Sequence, residues 1–190
     1  LNMIITQFLR AIRPSPPKLQ IACVEETLQE TLNFMKNEIR NRDILTEVRC
    51  PEPVPRLSID RNQIKQAFFN IIKNALQAMT RGGILTITIS ADDRYLAIAF
   101  KDTGHGMAAA DFSRLFEPFH STKAEGSGLG LMIVQRIVQD HGGKIEVHSQ
   151  PNTGTTFAVY LPLDQRRIRL LKAPRKSRQV STPHEQESAP

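Results

Sequence analysis

Long apolar runs are missing from this 190-residue chain. Nothing in it approaches the roughly 18–20 consecutive apolar residues that a bilayer-spanning helix needs. The opening Leu1-Asn2-Met3-Ile4-Ile5 has neither the charged front nor the long apolar stretch of a secretory signal. It also has no Met at position 1, and the sequence is read as a piece of a longer protein. Cysteine is scarce: Cys23 and Cys50 stand far apart with no C-x-x-C spacing. That excludes a disulfide framework or a cysteine zinc site, and predicts free, buried thiols in a reducing compartment. No glycine loop ends in the G-K-[ST] of a Walker loop. No internal repeat is apparent.

Charge of one sign is also absent from most of the chain. The formal net charge is +6, but it is uneven. Residues 164–190 hold seven basic side chains (Arg166, Arg167, Arg169, Lys172, Arg175, Lys176, Arg178) against three acidic ones (Asp164, Glu185, Glu187). That tail therefore carries +4 and leaves +2 for residues 1–163, so the high pI says little about what the folded part binds. What is present is 40% hydrophobic residues, enough for one ordinary core.

Residues 1–12 place Ile4, Ile5, Phe8, Leu9 and Ile12 at helical spacing, the end of a helix that starts elsewhere. Arg13-Pro14-Ser15-Pro16-Pro17 breaks it and marks a boundary. Val24, Leu28, Leu32, Met35 and Ile39 predict a helix over 24–40. Ile44, Thr46 and Val48 alternate as a strand, and Pro51, Pro53 and Pro55 form an extended connection. Asp60 is the cap candidate for a helix running to about Thr80, which Gly82-Gly83 ends. Residues 84–90 and 95–101 read as a hairpin around Asp92-Asp93. A short segment follows at 108–115, then the polar 120–127. A helix over 129–141 closes at Gly142-Gly143, and 144–149 and 155–161 form a last hairpin. The order predicts an α+β fold, a two-layer sandwich with a mixed, mostly antiparallel sheet and helices on one face. Three parts result: 1–17, 18–163 and the basic tail 164–190.

Chemistry concentrates in three places. On the second helix Gln63, Gln66, Asn70, Asn74 and Gln77 form one stripe, opposite an apolar arc from Ile64 to Met79. A solvated face normally carries Lys and Glu, whereas this stripe is all carboxamide. An Asn oxygen is a hard ligand suited to Mg²⁺; the plain alternative is a polar face with two incidental Asn. Asp102-Thr103-Gly104-His105-Gly106 follows an apolar strand. Its glycines allow close backbone approach to a flat ligand, and Asp102 can accept a hydrogen bond from an amine such as that of adenine. Ordinary turns share the pattern. Glu125-Gly126-Ser127-Gly128-Leu129-Gly130-Leu131 opens a helix, whose free amides and dipole suit phosphate, with Lys123 just before it. No hydrophobic strand leads directly into it, unlike a dinucleotide fingerprint. A flexible loop is the alternative.

Taken in order, these segments resemble the catalytic ATP-binding domain of sensor histidine kinases, within the wider group shared with gyrase B, Hsp90 and MutL. Asn70 to Ala78 is similar to the N box, and Asp102 to Gly106 to the first glycine box. Leu115-Phe116-Glu117-Pro118-Phe119 is similar to the F box, Gly126 to Leu131 to the second glycine box, and Gly154-Thr155-Thr156-Phe157 to the closing strand. The resemblance covers about 18–163 and implies a Bergerat-type fold that binds ATP and Mg²⁺. It implies that Asn74 ligates Mg²⁺ with Asn70 beside it, that Asp102 recognises the adenine amine, and that Gly104 and Gly106 admit the base. Gln77, Ala78, Met107, Phe116, Phe119, Leu129 and Leu131 complete the implied nucleotide site. Lys123, Gly126, Gly128 and Gly130 contact phosphates in this scheme, Thr156 supports the base, and 120–127 is a lid. Asn70, Asn74 and Lys123 are the implied catalytic set.

One position separates subfamilies. The ATPase relatives carry a Glu one turn before the Mg²⁺ ligand. Asn70 is an amide that does not act as a base, so the resemblance implies phosphotransfer rather than hydrolysis. Gln77 departs from the Lys or His of many kinases, and Leu76-Gln77-Ala78-Met79 resembles the nitrogen-regulation type. None of His105, His120, His141, His148 or His184 sits in an H-E-x-x-[DN]-P context. The acceptor histidine is therefore expected outside this chain, on a phosphoacceptor domain of the same protein or of a partner chain. A response regulator and a homodimer formed through N-terminal helices are the other implied partners. The domain is expected in the cytoplasm, whether or not its parent is membrane-anchored. The alternative is a nucleotide-binding regulatory module without transfer. The tail, with Ile168, Leu170 and Leu171 among its charges, reads as a solvated extension rather than a nucleic-acid or membrane anchor.

Overall fold

A computed structural model describes residues 16–50, 53–108, 115–117 and 128–163. The sequence readings at 1–12, most of 108–115, the lid with Lys123 and Gly126, Phe119 and the basic tail lie outside the described residues.

The chain opens with β1 (Gln20–Ala22) and α1 (Val24–Asn41). The helical period of α1 buries Val24, Leu28, Leu32, Met35 and Ile39, the residues named from spacing. Glu25 and Glu26 in its first turn and Arg40 in its last suit the helix dipole. Thr27 and Thr31 lie on the buried face, each hydroxyl donating to the carbonyl four residues back. Asp43, at φ 53°, turns the chain into β2 (Ile44–Arg49).

After β3 (Leu57–Ile59) comes α2 (Arg61–Ala78). Asp60 caps it as expected, accepting from the backbone N–H of Asn62 and Gln63. Then follow β4 (Gly83–Ala91), β5 (Tyr95–Asp102), α3 (Gly130–Asp140), β6 (Lys144–Gln150) and β7 (Gly154–Pro162). Five strands form one sheet in the order β2-β4-β5-β7-β6, with only β2–β4 parallel. This is the expected mixed, mostly antiparallel sheet in an α+β fold.

The alternation of the strands decides which face is covered. Leu85, Ile87 and Ile89 on β4, Leu96, Ile98 and Phe100 on β5, and Phe157, Val159 and Leu161 on β7 point to the helices. Phe68 of α2 meets Phe100 with ring centroids 5.4 Å apart. Each fully buried Leu, Ile or Phe of this layer stabilises the fold by about 1.5–3 kcal/mol.

The sequence did not foretell the small β1–β3 sheet, which pairs Gln20–Ala22 against Leu57–Ile59. Three-residue strands hold too few positions to show an alternation. Cys23 and Cys50 form no disulfide, as expected, but are half-buried rather than buried. Cys23 is the cap residue of α1 and Cys50 follows the last residue of β2, so both sit at element ends. Among the described residues no helix is long and apolar enough to cross a membrane.

Candidate functional site

The amide stripe of α2 is half-buried along its length: Gln63, Gln66, Asn70, Asn74 and Gln77 all fall between core and solvent. The opposite arc, from Ile64 to Leu76, is buried in the core and fixes the rotation of the helix. The stripe therefore forms one wall of the candidate site.

The second wall is the D-T-G-H-G turn. Asp102 ends β5 and is only 2% exposed. A carboxylate leaves water at heavy cost unless hydrogen bonds replace the lost solvation. Here one carboxylate oxygen accepts the backbone N–H of Gly104 at 2.8 Å and that of Thr155 at 3.2 Å. The turn folds onto the end of α2, where the His105 N–H donates to the Ala78 carbonyl at 3.2 Å. On its other side the His105 carbonyl accepts from Asn152 at 2.7 Å, and the Met107 N–H donates to the Ser149 hydroxyl at 2.9 Å.

This packing explains the glycines. A Cβ on Gly104 would lie 2.7 Å from the Ala78 carbonyl oxygen. One on Gly106, at φ 66°, would lie 2.0 Å from the Gln150 carbonyl oxygen. The sequence reading attributed both to the approach of a ligand, whereas the close approach seen is between stretches of this chain's own backbone. Gly130 differs: a Cβ there meets only Asn70 atoms at an ordinary 3.8 Å.

The third wall is the start of α3. Gly128 has φ 65°, Leu129 is fully buried, and Gly130 opens the helix. The Asn70 amide nitrogen donates to the Gly130 carbonyl at 3.3 Å, joining the stripe to the glycine segment. Asn70, Gly128, Gly130 and Leu131 thus lie at the middle of the stripe. Ala78, Asp102, Gly104 and Gly106 gather at its C-terminal end. Asn74 and Gln77 lie along the stripe between them. Met107 and Leu115 pack against the core, and Phe116 is half-buried.

Thr156 requires a correction. Its partners across the sheet are Lys101 and His148, both exposed, so its side chain lies on the face away from the helices. The threonine at Asp102 is Thr155, buried beside Ser149 with the two hydroxyls 2.9 Å apart. The signal was present in the sequence. Phe157, Val159 and Leu161 set the inward parity of β7, and Thr155 shares it while Thr156 does not. Ser149, whose hydroxyl joins Met107, Thr155 and the Gly154 carbonyl, was missed because a lone Ser in a strand carries no signal.

Among the described residues no group of three or more His, Cys, Asp or Glu could hold a metal. The carboxamides of the stripe still fit Mg²⁺ bound with a nucleotide, since Mg²⁺ keeps several waters and takes one or two protein oxygens beside the phosphates. Asn70 and Asn74, one helical turn apart, offer amide oxygens of that kind.

Residues 59–165 match the family described as histidine kinase-, DNA gyrase B-, and HSP90-like ATPase. Sensor histidine kinase ZraS of Escherichia coli (strain K12) is 32% identical over 164 residues, 86% of this chain and 35% of that protein. Sporulation kinase E of Bacillus subtilis (strain 168) is 34% identical over 166 residues, 87% of this chain and 22% of that protein. The chain thus spans only a minor part of these relatives. Among solved structures, the nucleotide-free catalytic domain of histidine kinase ThkA aligns with a TM-score of 0.71 at 27% identity, covering 77% of this chain and 96% of that one. Full-length ShkA in complex with AMPPNP aligns with a TM-score of 0.74 at 27% identity, covering 84% and 35%. The chain belongs to the family of histidine kinase-, gyrase B- and HSP90-like ATPases, as an ATP-binding catalytic domain of the sensor histidine kinase kind.

Proposed function

We propose that this domain binds Mg-ATP in the cleft between α2, the D-T-G-H-G turn and the start of α3, and passes the γ-phosphate to a histidine outside this chain. Adenine lies at the Asp102 end, its amine donating to the Asp102 carboxylate, with Thr155 behind it, and Ala78, Met107 and Phe116 near the base. The phosphates lie beside Asn70, against Gly128 and Gly130, with Lys123 and Gly126 joining from the lid. Mg²⁺, held by the Asn74 and Asn70 oxygens, neutralises phosphate charge. ShkA, solved with the ATP analogue AMPPNP, supports the nucleotide assignment by likeness.

The observation that carries transfer over hydrolysis is the state of Asn70. Its side chain is an amide that donates to Gly130, so no base stands where attacking water would be activated. The partners follow from that chemistry: a phosphoacceptor domain, a homodimer that presents it, and a response regulator that takes the phosphate on. One structure with a like fold, histidine kinase ThkA, was solved with its response regulator TrrA.

Calorimetric titration of ATP with and without Mg²⁺ tests the pocket, and transfer of labelled γ-phosphate to the full-length parent's phosphoacceptor domain tests the reaction. The expected result is Mg-dependent binding, little hydrolysis and labelled histidine. Binding without transfer to any acceptor would make the chain a regulatory nucleotide module. Brisk hydrolysis abolished by Asn74→Ala would make it an ATPase.

A further inference from the structure

Hydrogen bonds tie α2 to α3 near each end of α3. At one, the Asn70 amide meets the Gly130 carbonyl. At the other, the backbone N–H of Asp60, the cap residue of α2, donates to Nε2 of His141 at 3.0 Å. The two helices therefore run antiparallel. The tie points stand ten residues apart on α2 and eleven apart on α3, about 15 Å and about 16 Å at the helical rise. Sliding α3 by one helical step along α2 breaks both ties.

His141 is buried, and its two ring nitrogens have opposite duties. Nδ1 lies 2.7 Å from the Ile137 carbonyl, which only accepts, so Nδ1 carries the proton. Nε2 faces the Asp60 N–H, which only donates, so Nε2 is bare. The surroundings thus specify one neutral tautomer. No step of the proposed reaction uses this ring.

We propose that His141 is a positioning residue: it holds the axial register of α3 on α2, and so keeps Asn70 in place beside the glycines that receive the phosphates. This rests on the nucleotide reading of the cleft. The tie works only in the neutral form, because a second proton on Nε2 faces the Asp60 N–H donor to donor. Burial holds the ring's pKa below the usual histidine value, against the opposing pull of the Ile137 carbonyl and the charges of Asp60 and Asp140. Of those acids, Asp60 on α2 is already held by the N–H groups of Lys18, Asn62 and Gln63, and Asp140 on α3 is paired with Arg136.

The test compares the full chain with His141→Gln, whose amide oxygen can accept from Asp60 without titrating, and with His141→Ala. Mg-ATP affinity is measured by calorimetry from about pH 8 to about pH 5, spanning histidine titration. Exchange of the Asp60 amide and the ring tautomer are followed by NMR. Over that range the wild-type affinity falls further than that of His141→Gln, by at most about tenfold for each pH unit below the ring's depressed pKa, the limit for one linked protonation. The Asp60 amide is protected in the wild type and in His141→Gln and exchanges freely in His141→Ala. A ring protonated on Nε2, an equally protected Asp60 amide in His141→Ala, or identical pH profiles for wild type and His141→Gln would overturn the proposal. If His141→Ala does not fold, the tautomer and the Gln comparison decide alone. If no variant binds nucleotide while tautomer and exchange follow expectation, the register tie stands and the nucleotide reading falls.

Discussion

Asp102 anchors the fold with the same carboxylate that we propose receives the adenine amine, and substitutions can separate the two. In Asp102→Ala the buried N–H groups of Gly104 and Thr155 lose their acceptor, a cost of about 1–3 kcal/mol for each orphaned group. Asp102→Asn keeps one acceptor oxygen for them. The expected outcome is a melting temperature close to wild type for Asn and a large drop for Ala, with ATP affinity lowered in both, read by calorimetry. Undiminished ATP affinity in Asp102→Asn would remove the adenine assignment. The glycines give a second contrast. Gly106→Ala puts a methyl group onto the Gln150 carbonyl at a positive φ and is expected to cost about 1–3 kcal/mol of stability. Gly130→Ala meets only ordinary contacts and should fold normally, which thermal melts of the two variants will show. At this scale the sequence revealed residue types better than their reasons. It marked Gly104 and Gly106, but a single sequence does not show that Ala78 and Gln150 stand against them.

The elements were legible wherever a period ran long enough to repeat. α1 and α2 each run 18 residues and offer several turns of evidence, and the β4–β5 hairpin alternates on both arms. β1 and β3, three residues each, exist because they pair with one another, and that is tertiary information. The junction of α2 and α3 yields two predictions. Asp60→Ala removes the acceptor for Asn62, Gln63 and Lys18 and should cost about 1 kcal/mol, the usual loss for a helix cap. Differential scanning calorimetry reads it as a drop of about 2–4 °C for a domain of this size. The second concerns pH. Burial depresses the pKa of His141 in the folded state, so the unfolded chain binds more protons near the ordinary histidine pKa. Stability from this group is complete above the unfolded value of about 6.5 and declines as pH falls through it toward the lower folded value. Urea midpoints should therefore fall below neutrality by more in the wild type than in His141→Gln.

Across the whole molecule, the cleft draws on residues 63–78, 102–107, 128–131 and 149–155, and none of these segments makes it alone. The order of the boxes along the chain was visible in the sequence; the way β5 and β7 bring Asp102 to Thr155 was not. A ligand that bridges these segments stabilises them together. Mg-ATP at a hundred times its dissociation constant should raise unfolding free energy by about 2.7 kcal/mol, and Asn74→Ala should remove most of that gain in a melting assay with and without nucleotide.

The bond from Thr155 to Asp102 spans 53 residues of sequence, and that separation has a consequence in time. During synthesis Asp102 emerges well before the amide that will help to bury it. At roughly 5–20 residues per second the ribosome needs about 3–10 s to make the intervening chain. For those seconds the Asn helix and the β4–β5 hairpin can assemble, while the carboxylate stays in water and the site proposed for adenine is open. The nucleotide site is thus among the last parts of the domain to close, and a nascent chain should gain ATP affinity only after β7 has been made.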